Sequence, residues 1–196
     1  MIRLEAPFTE EKIRSLKVGD MVELSGTIFT GRDAVHKWLH EGNEPPVSLK
    51  DGVIYHCGPV VIREKGKWVV KAAGPTTSIR EEPYQAGIIE RFGLRAIIGK
   101  GGMAEKTRQA CQKCGCAYLH AIGGAAQVLA EAVKEVENVY EYERFGSPEA
   151  IWQLRVENFP LVVTIDAHGN SLHKEIEAAS AARLTESFAR MAAAKR

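Results

Sequence analysis

Between residues 83 and 136 this sequence switches repeatedly between two kinds of apolar pattern, and no other feature constrains the fold as much. Short runs such as "LRAIIG" and "CAYLHAIG" have the length and composition of strands. Longer segments, "PYQAGIIERFG", "MAEKTRQACQKCG" and "AAQVLAEAVKEV", repeat their apolar residues at helical spacing. Strand, helix and strand in succession predict a parallel pair, because parallel strands need a long crossover connection. The middle of the chain is therefore expected to be parallel sheet with crossover helices.

The flanks read differently. "MIRLEAP" predicts a first strand, and Thr9 caps a short helix "EEKIRSL" whose acidic first turn suits a helix N-terminus. "DMVELSGTIFT" alternates apolar and polar residues through Met21–Phe29, the pattern of a half-buried strand. "GRDAVHKWLHEG" places Ala34, Val35, Trp38 and Leu39 on one helical stripe, with Gly42 at its end. "GVIYHCGPVV" and "KWVVKAAGP" are β-branched runs bounded by Gly and Pro, the composition of buried strands. Downstream, "AIWQLRVENF" and "LVVTIDAHG" are expected to close the sheet as two strands, with Gly169-Asn170 as a turn. A terminal helix over about residues 175–196 is expected to pack on the body. The fold class expected is α/β: a layered mixed sheet with flanking helices, in one domain over residues 1–196.

Charge excludes some partners. The 26 basic and 25 acidic residues nearly cancel, leaving no field to favour nucleic acid or an anionic membrane. No run approaches the roughly 20 apolar residues that span a bilayer, and "MIRLEAPFTEEK" lacks the apolar core of a signal peptide. Four cysteines are too few for a disulfide scaffold at this length, so a reducing, cytoplasmic setting is expected.

Three of those cysteines, Cys111, Cys114 and Cys116, crowd into "CQKCGC". Two readings stand side by side. With Cys57 they would complete a four-thiolate zinc site. Alternatively Gly115 ends a helix, Cys116 opens a strand, and the thiols are small buried apolar groups that hold no metal.

Three loops share one design, in which a strand ends, small residues follow, a polar or cationic group appears and a helix begins. They are "GTIFTGRDAVH" with Arg32, "AAGPTTSIREEPY" with Thr76, Thr77, Ser78 and Arg80, and "IIGKGGMAEK" with Lys100. In open α/β sheets ligands gather where such loops converge, outside the carboxyl ends of the strands. Glycines expose N–H groups, helix N-termini add partial positive charge, and two arginines and a lysine add full charge. Together they form a receptor for a small compound with more than one carboxylate or phosphate. His56, His120 and His168 read as core or edge residues. The G-x-x-x-x-G-K-[ST], G-x-G-x-x-G, H-E-x-x-H and G-x-S-x-G motifs do not occur.

"GTIFTGRDAVHKWL", "AAGPTTSIR", "IIGKGGM" and "YLHAIGGAA", in that order, resemble the β subunit of class I fumarate hydratases and of L-tartrate dehydratase. They are equally similar to the C-terminal domain of single-chain class I fumarases, and the resemblance runs from about Leu16 to about Lys174. It implies a swivelling β/β/α domain and the reversible hydration of fumarate to L-malate. It also implies a 4Fe–4S cluster held by three cysteines of a partner α subunit, in an α2β2 assembly, with one open iron as Lewis acid. By that resemblance Arg32, Arg80 and Lys100 bind substrate carboxylates, and Thr76 is the base toward the C3 proton. Lys100 is the second catalytic candidate, Thr77 assists binding, and Asp33 and His36 lie beside the site without assigned chemistry. The competing readings are a tartrate dehydratase β subunit, a zinc-binding protein, and a non-catalytic module for an anionic metabolite.

Overall fold

The computed structural model describes residues 1–193, and the last three residues of the expected tail helix, 194–196, lie outside them. The chain begins with β1 (Ile2–Glu5), α1 (Glu10–Ser15), β2 (Met21–Thr30), α2 (Asp33–His40) and β3 (Val53–Tyr55). It continues through β4 (Val60–Glu64), β5 (Lys67–Ala72), a 3-10 turn (Ser78–Glu81), α3 (Glu82–Phe92) and β6 (Ala96–Gly99). Then follow α4 (Glu105–Cys114), β7 (Ala117–His120), α5 (Ala126–Glu131), β8 (Val133–Tyr140), α6 (Tyr142–Phe145), β9 (Ile151–Ile165) and α7 (Leu172–Ala193).

Seven strands form one sheet in the order β1-β2-β3-β6-β7-β9-β8, and β2 also pairs with β9. That extra pairing closes the five strands β2, β3, β6, β7 and β9 on themselves. β3, β6 and β7 run parallel to β2, as the strand–helix alternation predicts, and β9 runs antiparallel to both of its neighbours in the ring. β2 and β9 are long enough to serve both sides of the ring. β2 shifts register between Leu24 and Gly26, and β9 turns at Asn158, where φ is 51°. Local bulges of this kind let a strand leave one sheet layer and enter the next.

Alternation along the parallel strands separates two cores. Val53, Tyr55, Ala96, Ile98, Ala117 and Leu119 face the interior with Trp152 and Phe159. Ile54, Ile97 and Tyr118 face outward, against Val35, Leu39, Ile88, Ile89 and Cys111 from α2, α3 and α4. Strands covered on both faces must be apolar at every position, which is why "AIIG" carries no polar residue. The mixed, layered sheet with flanking helices agrees with the expected class.

Four local expectations are corrected. "AAQVLAEAVKEV" is not one helix, because α5 stops at Glu131 and the β-branched series Val133, Val136 and Val139 becomes β8, paired to β9. Ala, Glu and Lys in that stretch carry the local preference for helix, and the open edge of β9 overrides it. "AIWQLRVENF" and "LVVTIDAHG" form one strand of 15 residues rather than two, running through Pro160 opposite Glu23. β4 is largely exposed and β5 half-buried, rather than buried, and they form a separate two-stranded ribbon around Lys65-Gly66, where both φ angles are positive. The terminal helix starts at Leu172, and its residues 174–188 are exposed rather than packed on the body.

The Trp152 side chain is fully buried, donates its indole N–H to the Ser147 carbonyl at 2.8 Å, and meets Trp68 of β5 edge-on at 5.3 Å. Trp152→Ala is expected to cost about 3–5 kcal/mol in equilibrium chemical denaturation. Leu184→Ala, on the exposed part of α7, is expected to stay within about 0.5 kcal/mol.

Candidate functional site

Parallel pairing puts the carboxyl ends of β2, β3, β6 and β7 at one edge; the Arg32 and Lys100 loops leave from β2 and β6 there, and the Thr76 loop returns to that edge from β5. After β2, Gly31 N–H donates to the Tyr55 carbonyl at 3.0 Å, keeping the Arg32 loop beside β3. After β3, His56 N–H donates to Ile98 O at 2.8 Å, and Thr76 N–H donates to His56 O at 2.7 Å. The second loop is thus stitched to the strand ends, and a bridge between Cys57 and Pro75 extends the pairing. A parallel bridge then joins Thr77 to Lys100, with Ser78 N–H donating to Lys100 O at 3.1 Å. Lys100 passes close to Gly123 in the loop after β7, so "HAIGGAA" also borders this edge.

The structure brings Thr76, Thr77 and Lys100 together directly through the backbone. Arg32 and Arg80 reach the same edge held by carboxylates. Arg32 Nε lies 3.3 Å from Glu149 Oε1, while Glu149 Oε2 accepts the Ala34 N–H at 3.1 Å near the start of α2. Arg80 pairs with Asp33, the first residue of α2, and so ties the second loop to the first. Each guanidinium has five donors, so one carboxylate partner fixes its position and leaves donors for a ligand. Thr77 and Arg80 are exposed, whereas Arg32, Thr76 and Lys100 are half-buried.

Beneath these loops lies a buried polar group that the sequence reading leaves without a role. The Gln85 amide oxygen is 3.0 Å from His36 Nε2 and 2.8 Å from His56 Nε2, and His56 Nδ1 is 2.8 Å from Ser78 Oγ. Burial pushes both imidazoles below their ordinary range, so both rings are neutral. His36 Nδ1 faces the Arg32 carbonyl at 3.0 Å, which can only accept, so Nδ1 carries the proton and Nε2 accepts. A half-turn of the Gln85 amide then presents its NH2 to both rings and satisfies the nitrogen that otherwise has no partner. Gly99 fits over this group because a Cβ there would overlap Ser78 Oγ and stand 2.9 Å from Tyr118 Oη. Glu82 reaches across to α4, accepting from Ala104 N–H at 2.9 Å and from the Thr107 hydroxyl at 2.6 Å, which anchors the end of the Lys100 loop.

Glu81 is the member of this layer that sequence reasoning misses, because an acid in "IREEPY" reads as a solvated residue at a helix start. Its side chain is fully buried, with Oε2 3.7 Å from His36 Nδ1. Burial, and secondarily Asp33, raise its carboxyl from the ordinary 4.5 to about 8. One sequence signal does point to it: two consecutive acids directly follow Arg80, more than one helix N-terminus needs.

Gly115 ends α4 as expected, and Cys116 directly precedes β7. Gly115 adopts the left-handed conformation at φ 65° after α4, and Cys116 N–H donates to Cys111 O at 3.0 Å. Cys111 and Cys116 belong to the outer core and Cys57 to the inner one. Burial raises the thiols of Cys57, to about 12, and of Cys114 and Cys116. Among the described residues, no three His, Cys, Asp or Glu side chains are grouped as metal ligands. No helix among them is long and apolar enough to cross a membrane.

A raised carboxyl has a defined effect on stability. Below pH 4.5 Glu81 is protonated whether the chain is folded or not, and its burial carries no ionisation cost. Between 4.5 and about 8 the folded chain holds a proton that the unfolded chain releases, so stability falls as pH rises through that window. Melting curves of Glu81→Gln are expected to lack this component, so the variant gains on the wild type as pH is raised toward 8.

The description of the matching family model is fumarase C-terminus, and the match covers residues 1–176. A candidate class I fumarate hydratase of Geobacillus stearothermophilus is 57% identical over 187 residues, 95% of this chain. The chain spans only 36% of that relative's length. The L(+)-tartrate dehydratase subunit beta of Escherichia coli strain K12 is 39% identical over 174 residues, covering 88% of this chain and 86% of the relative. A candidate L(+)-tartrate dehydratase subunit beta of Methanocaldococcus jannaschii is 41% identical over 173 residues, with 86% and 89% coverage. With the model spanning most of the sequence and its strand-end loops meeting at one edge, the chain belongs to the fumarase C-terminus family.

Proposed function

We propose that this chain supplies the β-subunit half of an iron–sulfur hydro-lyase that interconverts fumarate and L-malate. The observation that carries the reading is the single sheet edge shared by Arg32, Arg80, Lys100 and the Thr76–Thr77 pair. A dicarboxylate is a dianion. Two guanidinium groups and one ammonium supply donors to it, and the carboxylates of Asp33 and Glu149 fix the two guanidiniums in place. In this reading Arg32, Arg80 and Lys100 hold the carboxylates, Thr77 adds a hydrogen bond, and Thr76 moves the C3 proton. A threonine hydroxyl is a poor base unless a neighbouring group takes up its proton.

The chain's own side chains do not fit the 4Fe–4S cluster. Cys57 stands in a different core from Cys111 and Cys116, and no three ligand side chains are grouped among the described residues. We assign the cluster to an α-subunit-type partner, whether a separate chain in an α2β2 assembly or another part of a longer one. The work of this domain is then to bind, orient and exchange a proton, and swivelling would close its sheet edge over the partner's cluster. Fumarate is preferred to L-tartrate because identity to the fumarate hydratase relative is 57%, against 39–41% for the tartrate dehydratase relatives.

Reconstitution with such a partner tests the reading. Lys100→Ala and Arg80→Ala are each expected to lower kcat/KM for fumarate by roughly a hundredfold or more, since each removes a charged donor from a dianion site. The purified chain alone is expected to show no hydratase activity. Turnover by the isolated chain would overturn the reading, stoichiometric zinc in it would favour the zinc-binding alternative, and tartrate outpacing fumarate would change the substrate.

A further inference from the structure

The proposed reaction gives Gln85 no part, yet the buried layer under the site is joined through it. Gln85, His36, His56 and Ser78 are all fully buried. The two imidazoles meet edge-on, 4.9 Å apart at their centroids. One terminal atom of the Gln85 amide lies between their Nε2 atoms, at 3.0 Å from His36 and 2.8 Å from His56. The far side of each ring touches a substrate loop. His36 Nδ1 is 3.0 Å from the Arg32 carbonyl, and His56 Nδ1 is 2.8 Å from Ser78 Oγ. Ser78 N–H in turn donates to Lys100 O, and the His56 carbonyl accepts the Thr76 N–H. Among the described residues, Gln85 is the one side chain hydrogen-bonded to both rings.

One proton fixes the direction of the whole chain. The Arg32 carbonyl can only accept, so the neutral His36 ring carries its hydrogen on Nδ1 and accepts at Nε2. Glu81 Oε2, 3.7 Å from the same Nδ1, stands outside hydrogen-bond distance. The amide atom facing His36 Nε2 is therefore the NH2 nitrogen, which has two hydrogens to give. That same nitrogen faces His56 Nε2, so His56 also accepts there, carries its hydrogen on Nδ1 and donates to Ser78 Oγ. We propose that Gln85 is a positioning residue: its amide donates to His36 and His56 at once, and so sets the spacing between the Arg32 loop and the loops carrying Thr76, Thr77 and Lys100. This inference rests on the reading that those loops hold the two ends of a dicarboxylate. Carboxylates a fixed distance apart need donors at a fixed separation, and a displacement of about 1 Å can cost about a hundredfold in rate. A carboxylate has no hydrogen to give and a carboxylic acid has one, so Gln85→Glu leaves at least one ring without its donor.

The protonation pattern can be read in the full chain without a partner. In nitrogen-15 spectra of the histidine rings, His36 and His56 are each expected to carry hydrogen on Nδ1 and none on Nε2. In Gln85→Glu at least one of the two Nε2 atoms is expected to be protonated. A hydrogen on Nε2 of either ring in the wild type overturns the inference, whatever the variants do. In the complex reconstituted with a cluster-bearing partner, Gln85→Leu and Gln85→Glu are each expected to lower kcat/KM for fumarate about tenfold to a hundredfold, chiefly through KM. Ile89→Val, one turn further along α3 in the apolar outer core, loosens packing alone and is expected to leave KM unchanged. A wild-type KM in both Gln85 variants, or an equal rise in Ile89→Val, overturns the positioning role and leaves the hydro-lyase reading standing. A wild-type complex that turns over no dicarboxylate removes that reading and this inference with it.

Discussion

The antiparallel pairing of β2 with β9 is the interaction on which the rest depends. It turns an open run of strands into a ring, gives the molecule an inner and an outer core, and forces both long strands to bend, one at Gly26 and one at Asn158. Closure also determines where the loops can go. With β3, β6 and β7 parallel to β2, four carboxyl ends open at the same rim, where the segments carrying Arg32 and Lys100 start. The backbone bonds from Thr76 to His56 and from Ser78 to Lys100 then bring the loops into contact with each other.

Charge at that rim is organised in two tiers. Exposed or half-exposed cations stand above, and neutral polar groups stand below. Burial keeps His36 and His56 uncharged and raises the Glu81 carboxyl, so the lower tier adds no competing cation and little competing anion at neutral pH. The asymmetry follows from solvation: a charge is tolerated where water or a ligand can reach it, and a neutral hydrogen bond is preferred where neither can. Asp33 and Glu149 connect the tiers by holding Arg80 and Arg32.

The sequence showed the parallel half of this fold because strands buried on both faces and amphipathic helices carry opposite periodicities. Four loop residues, Arg32, Thr76, Arg80 and Lys100, were legible because Gly, Pro and a lone cation between a strand and a helix form a local pattern. What stayed hidden was non-local. β8 looks helical until the open edge of β9 is available to pair with it. β9 looks like two strands because Pro160 and the polar "EN" interrupt its apolar pattern. Glu81 looks solvated because nothing nearby in the chain reveals that α2 will cover it, and Gln85 looks like an ordinary helix residue for the same reason. Burial is a property of the assembled layers, so a polar residue that acts from within them leaves little trace in its own neighbourhood.

Among the described residues, closing the ring leaves the sheet two borders where another chain could add a strand, β1 and β8. The first is four residues long, with Arg3 and Glu5 exposed. The second exposes Lys134, Glu135 and Glu137. A strand that joined either border would have to bury or oppose those charges, so the architecture that gathers a substrate-sized anion at one rim also discourages sheet-to-sheet aggregation at its flanks.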